Sequence, residues 1–219
     1  MCSSDLAAVD RGDQIETVHH SLQGVICIWA DDRQLACLSD RGDLDLVAYK
    51  AKSLTVKSVN DLKQEFFRAD KQFEAANHEA VSITGCAQYL AVAKSCISEC
   101  TNTVALLNRN GKLLSTSNDN GYSKPLPRKT PIHNMQFIIV KHRIYLVTQN
   151  LFSFVSLYLI NPKSKAAIHY IRSVIIALEE INWPLIPIPS QPGHLITSNY
   201  QNSCRLMQIY LNYEKDADC

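Results

Sequence analysis

The sequence predicts an all-β protein made of repeated four-stranded antiparallel meanders, and three observations predict it. Four short segments share one pattern, a polar or aromatic residue at a turn followed by an apolar strand, and their anchors Leu35, Leu90, Ile144 and Leu195 recur every ~50 to 55 residues. A second apolar strand that runs into polar turn residues follows each anchor. No long helical pattern separates the strands, which argues against a parallel α/β sheet.

The first repeat opens with a strand over Gly24 to Ala30, continues through Arg33 to Leu38 and then Leu44 to Lys50. In the second, Ala80 to Thr84, Gln88 to Ala93 and Val104 to Asn108 are followed by Lys112 to Ser115. The third runs Met135 to Val140, His142 to Val147, Val155 to Asn161 and Ala166 to Ile171. The last has Trp183 to Pro189, Gly193 to Ser198 and Met207 to Asn212, which leaves room for three strands. Asn108-Arg109-Asn110-Gly111 and Asn161-Pro162-Lys163-Ser164 are hairpin-turn chemistry, because Asn and Gly tolerate left-handed backbone and Pro cannot continue a ladder. Gln14 to His19 is an extra strand ahead of the first complete repeat, placed to complete the last one.

Two segments depart from the meander. Leu62, Phe66, Ala69, Phe73 and Ala76 fall at three- and four-residue steps, and Asp61 with Gln64 has capping-box spacing, so the reading for Asp61 to Asn77 is one short inserted helix. Ser117 to Pro131, rich in Asn, Ser, Pro and basic residues, reads as a long surface loop.

This strand order and spacing, over roughly Ala8 to Asn212, resembles the WD-repeat-like superfamily of β-propellers. It does so without that superfamily's dipeptides: no Trp-Asp closes a third strand, and Gly193-His194 is a single occurrence. The resemblance implies about four blades presenting loops to protein partners. Residues 1–6, Met-Cys-Ser-Ser-Asp-Leu, match the translation of a common sequencing-adapter end and are set aside as an artefact. Residues 7–219 are then one propeller-like domain, read as a fragment of a larger ring.

The 219-residue chain is long enough for a sizeable core without staples. With 22 basic and 21 acidic residues its formal charge is +1, so no global field draws it to nucleic acid or anionic lipid. Its longest clean apolar run, Leu151 to Ile160, is far short of the ~20 residues of a membrane-spanning helix. No Asn-x-Ser/Thr acceptor and no signal peptide are visible, so the expected location is cytoplasmic. Among the eight cysteines, Cys27 and Cys37 lie in apolar strand patterns and read as small core residues.

Several motifs invite a chemical reading and each has a plainer one. Cys96 and Cys100 with Cys86 upstream could offer thiolates to zinc, but no second ligand pair accompanies them, and His19-His20 stands apart from any cluster. Arg11-Gly12-Asp13 and Arg41-Gly42-Asp43 match an adhesion tripeptide, and each, preceded by Asp, is also a sound β-turn. Lys124-Pro125-Leu126-Pro127-Arg128-Lys129 has the character of an extended docking peptide or of a solvated loop. Trp29, Phe152, Phe154 and Tyr158 fit core packing. No Gly-x-Ser-x-Gly elbow and no phosphate-cradling Gly loop occurs. No catalytic, cofactor-binding or metal-binding residue is therefore assigned, and no cofactor is expected. The expected function is a non-catalytic scaffold for protein partners. The alternative is a fragment of a propeller-containing hydrolase whose catalytic residues lie outside this chain or in a central channel.

Overall fold

The computed structural model describes residues 4–10, 14–20, 25–32, 34–39, 42–50, 53–59, 62, 79–96, 101–118, 131–150, 154–164, 167–175, 186–188, 190–191, 193–198 and 204–208. The chain divides into two compact units, Met1–Asn77 and His78–Cys219.

In the first unit, β1 (Ser4–Asp10) and β2 (Gln14–His20) form a two-stranded antiparallel sheet. This corrects one expectation: the Gln14 strand is bonded to Ser4–Asp10 instead of completing a four-stranded sheet. The physical reason is locality, since Asp10 pairs with Gln14 across residues 11–13 and so short a closure costs little chain entropy. β3 (Val25–Ala30), β4 (Gln34–Ser39), β5 (Leu44–Lys50) and β6 (Ser53–Val59) follow as a four-stranded meander. Ala36, Leu38, Leu44, Leu46 and Val59 are buried on one face, with Cys37 and Val47 buried on the other. Central strands covered on both faces read as near-continuous apolar runs. Of the expected helix, Leu62 is described, helical and fully buried; the rest of 61–77 lies outside the described residues.

The second unit contains β7 (Glu79–Gly85), β8 (Tyr89–Cys96), β9 (Thr101–Asn108) and β10 (Leu113–Asn118) in one meander. A second meander holds β11 (Ile132–Val140), β12 (Arg143–Asn150), β13 (Phe154–Ile160) and β14 (Ile168–Ile175). β15 (Ile186–Pro187), β16 (His194–Ser198) and β17 (Cys204–Gln208) make a three-stranded one. All pairings are antiparallel and sequential.

The core of this unit lies between the meanders. Ala91, Ala93, Val104 and Leu106 of the first pack on Met135, Phe137, Leu146, Tyr158 and Ile160 of the second. The alternate residues Ile138, Tyr145, Val147, Val155, Leu157 and Leu159 turn the other way and bury with Leu195 of the third. Period-two alternation thus gives the middle meander two apolar faces, one for each neighbour. Tyr158 meets Tyr170 edge to face at 5.7 Å within the first interface.

Three boundaries differ from expectation. Of the strand expected over Trp183 to Pro189, Ile186–Pro187 is described as strand and Ile188 follows it; residues 183–185 and 189 lie outside the described residues. The last strand already includes Cys204, ahead of the expected start at Met207, because pairing with β16 sets its register from Ser198↔Cys204; residues 209–212 lie outside the described residues. Ser117 belongs to β10, and residues 119–130 of the expected loop lie outside the described residues.

Candidate functional site

The two ends of the second unit are built differently. At one end, the strands of a meander are joined by short turns whose bonding is explicit. Asn108 and Gly111 close the β9–β10 turn: the Gly111 N–H donates to the Asn108 carbonyl oxygen (2.9 Å), and Asn108 Oδ1 accepts from the N–H groups of Asn110 and Lys112 (3.0 Å each). Gly111 sits at φ 85°, where a Cβ would be unfavourable. Lys141 and His142 form a two-residue β11–β12 turn with φ 46° and 67°. At the β13–β14 turn, Asn161 Oδ1 accepts from the Lys163 N–H at 3.3 Å, and the Ser164 N–H donates to the Asn161 carbonyl oxygen at 3.0 Å.

At the other end β8, β10, β12, β14 and β16 finish and β9, β11, β13 and β17 begin; the residues that join them, 97–100, 119–130, 151–153, 176–185 and 199–203, lie outside the described residues. Polar side chains are buried just beneath this end. Ser95, Asn102, Thr148, Gln149 and Ser156 are nearly inaccessible, and buried hydroxyls and amides must find partners. Ser95 Oγ accepts from the Ile132 N–H at 3.0 Å, tying β8 to the start of β11. Thr148, Ser156 and Ser173 lie in register across β12, β13 and β14. Ser156 Oγ and Ser173 Oγ are 2.6 Å apart, and Tyr170 Oη reaches Ser173 Oγ at 2.9 Å. This hydroxyl row braces the sheet beneath the connections.

In the first unit, Cys37, Asp45 and Ser58 form a row across β4, β5 and β6. Ser58 Oγ–H donates to Asp45 Oδ1 at 2.6 Å. Burial, and secondly the Asp45 carboxylate, push the Cys37 thiol up to about 11. Cys37 is 2 % exposed, so the row holds a protonated thiol and not a nucleophile.

The motifs singled out in the sequence are dispersed. Cys37 is a core residue as expected, and the side chain of Cys27 lies outside the described residues. Cys86 is a half-buried free thiol in the β7–β8 turn, whereas residues 97–100 lie outside the described residues. Among the described residues no three His, Cys, Asp or Glu side chains gather closely enough to hold a metal ion. Arg11-Gly12-Asp13 and Lys124–Lys129 also lie outside them, as do the side chains of His19 and His20. Gly42 and Asp43 belong to a tight turn: the Gly42 N–H donates to the Ser39 carbonyl oxygen (3.1 Å), the Asp43 N–H to Ser39 Oγ (3.0 Å), and Gly42 has φ 77°. The turn reading of the second Arg-Gly-Asp therefore accounts for the geometry of Gly42 and Asp43, while Arg41 lies outside the described residues. Tyr158 is fully buried and Trp29 half-buried. Among the described residues no helix is long and apolar enough to cross a membrane.

Sequential antiparallel meanders packed face to face define a protein of β-propeller type. Solved structures of similar fold include the computationally designed Ika4 protein, at 11% identity and a TM-score of 0.51, with 87% of this chain and 96% of that one covered. They also include the N-terminal domain of Nup159, a β-propeller, at 14% identity and a TM-score of 0.53 over 92% of this chain. A third is a Bacteroides uniformis protein assigned as a 6-phosphogluconolactonase, at 14% identity and a TM-score of 0.51 over 89% of this chain. This chain spans 59% of the length of each of the latter two. At such identities the likeness establishes fold alone. No protein-family model matches the chain, and no curated protein does.

Proposed function

We propose that the chain is a non-catalytic protein-interaction module of β-propeller type, which engages protein partners through the connections between its meanders. The observation that carries this reading is the contrast between the ends of the second unit. One carries internally bonded turns, and at the other the strand ends that lead into the connections between meanders stand above a braced layer of buried hydroxyls and amides. A rigid scaffold that presents connections between its sheets on one face suits recognition of a partner. Catalysis instead needs converging acid, base or nucleophilic groups in one concave site.

The test is photo-crosslinking from Thr116 and Asn150, both at the end with the long connections, in extract of the source cells. The same discrete protein should be captured from both positions, and excess unmodified chain should compete it away. Loss of a discrete adduct, failure of competition, or turnover of a phosphogluconolactone or ester substrate by the purified chain would overturn the reading.

A further inference from the structure

The near-neutral total charge conceals a segregated one. Between Ala80 and Leu178 there are eleven Lys and Arg residues, and the acidic residues of that stretch are Glu99 and Asp119. Both belong to connections at the end that carries the loops. The opposite end of the first two meanders of the second unit is made by segments 84–92, 106–114, 138–146 and 158–170, and these contain no Asp or Glu. They do contain Arg109, Lys112, Lys141, Arg143, Lys163 and Lys165, with His142 between Lys141 and Arg143.

The turns that carry these cations converge. Tyr89 and Cys86 of the β7–β8 turn, Leu114 after the β9–β10 turn, Ile144 after the β11–β12 turn and Ile168 after the β13–β14 turn all pack on one core cluster. Adjacent sheets lie ~10 Å apart, close to the ~8 Å Debye length at physiological salt, so the fields of neighbouring turns overlap. Lys112, Lys141 and Lys163 are exposed. The Lys112 and Lys163 N–H groups are bonded within their turns and Lys141 is closed by the flanking pair Val140↔Arg143, so little backbone entropy is lost when a ligand is met.

We infer that this turn end is a docking surface for an acidic peptide segment of a partner protein. The surface lies opposite the face invoked above, and the inference does not depend on that face being used. Charge complementarity favours a polyanion, and two observations select a peptide. Among the described residues of these turns no Phe, Tyr or Trp ring is exposed, Tyr89 being half-buried and Tyr145 and Tyr158 fully buried, so nucleic-acid bases find the His142 imidazole as a stacking partner but no large aromatic platform. Ile139, 56 % exposed and two residues before Lys141, offers an apolar contact suited to a side chain interleaved among carboxylates. The turn tips themselves, such as Arg109-Asn110-Gly111 and Lys141-His142, carry no large apolar group to insert into lipid.

The experiment is fluorescence anisotropy of the full chain with a labelled Asp/Glu-rich peptide of about fifteen residues that includes Leu. Its amide counterpart, with Asn and Gln for Asp and Glu, is the control. The acidic peptide should bind at low salt, weaken as salt rises, and bind about tenfold more weakly to the triple variant Lys112→Glu, Lys141→Glu, Lys163→Glu. The corresponding Gln triple should fall between, and it carries the test if charge reversal prevents folding. The inference fails if the wild-type chain ignores the acidic peptide, or if both triple variants bind it like wild type. It fails equally if a DNA duplex or phosphatidylserine vesicles bind more tightly than the peptide.

Discussion

Cys37 illustrates how one buried side chain sets a pH dependence. Its thiol titrates near 11 in the folded chain, mainly through burial and secondly through Asp45, against about 8.5 for an exposed thiol. A folded-state value raised above the unfolded one means that the native state keeps the proton while the unfolded chain releases it. The resulting stability is fully present below about pH 8.5 and is lost as pH rises towards 11. Urea unfolding midpoints should therefore fall between those limits, and the fall should be smaller in Cys37→Ala. A fall of equal size in the variant would remove Cys37 as its source. His142 is the other informative single residue. With φ 67° in a two-residue turn, it occupies a conformation that glycine adopts at no steric cost. His142→Gly should raise stability by about 0.5–1 kcal/mol, read as a higher urea midpoint at unchanged slope.

At the scale of the element, hairpin chemistry repeats. In both units a polar residue caps a turn that ends in a left-handed glycine: Ser39 with Gly42, and Asn108 with Gly111. Gly111→Ala should cost about 1–2 kcal/mol, since the methyl group meets the backbone at φ 85°. Asn108→Ala should cost a similar amount by leaving the Asn110 and Lys112 N–H groups without their acceptor. Thermal melts of both variants measure this, and an unchanged midpoint for Gly111→Ala would show that the turn relaxes freely. These turns were legible in the sequence because Asn and Gly announce themselves, and the central strands because their apolar residues are covered on both faces. β6 was harder to read: Thr55, Lys57 and Ser58 interrupt its apolar residues at the margin of its sheet, where Val56 is partly exposed. β1 is not in the sequence reading because residues 1–6 are set aside there as an artefact, whereas Ser4–Asp10 pairs locally with β2.

Over the whole molecule, the fold was more legible than the candidate surfaces. Strand periodicity is a local signal repeated four times, whereas the connections at the loop end have no period, and the row of Thr148, Ser156 and Ser173 exists only once register brings three strands together. The charge segregation was in the sequence throughout but invisible in a sum of 22 against 21. It also has a consequence for stability that does not depend on any partner. In the unit His78–Cys219 thirteen cations stand against eight anions, and the excess cations repel one another in the compact state more than in an extended chain. Salt screens that repulsion, so raising NaCl from about 20 to about 200 mM should stabilise the chain. A relief of about 1 kcal/mol corresponds to a rise of roughly 2–4 °C in melting temperature at this size. The triple variant Lys112→Gln, Lys141→Gln, Lys163→Gln starts with less repulsion and should melt higher at low salt and gain less from added salt. A melting temperature that falls with salt would mean that attractive ion pairs outweigh the repulsion among these turns, and the basic surface would then be neutralised within the chain itself.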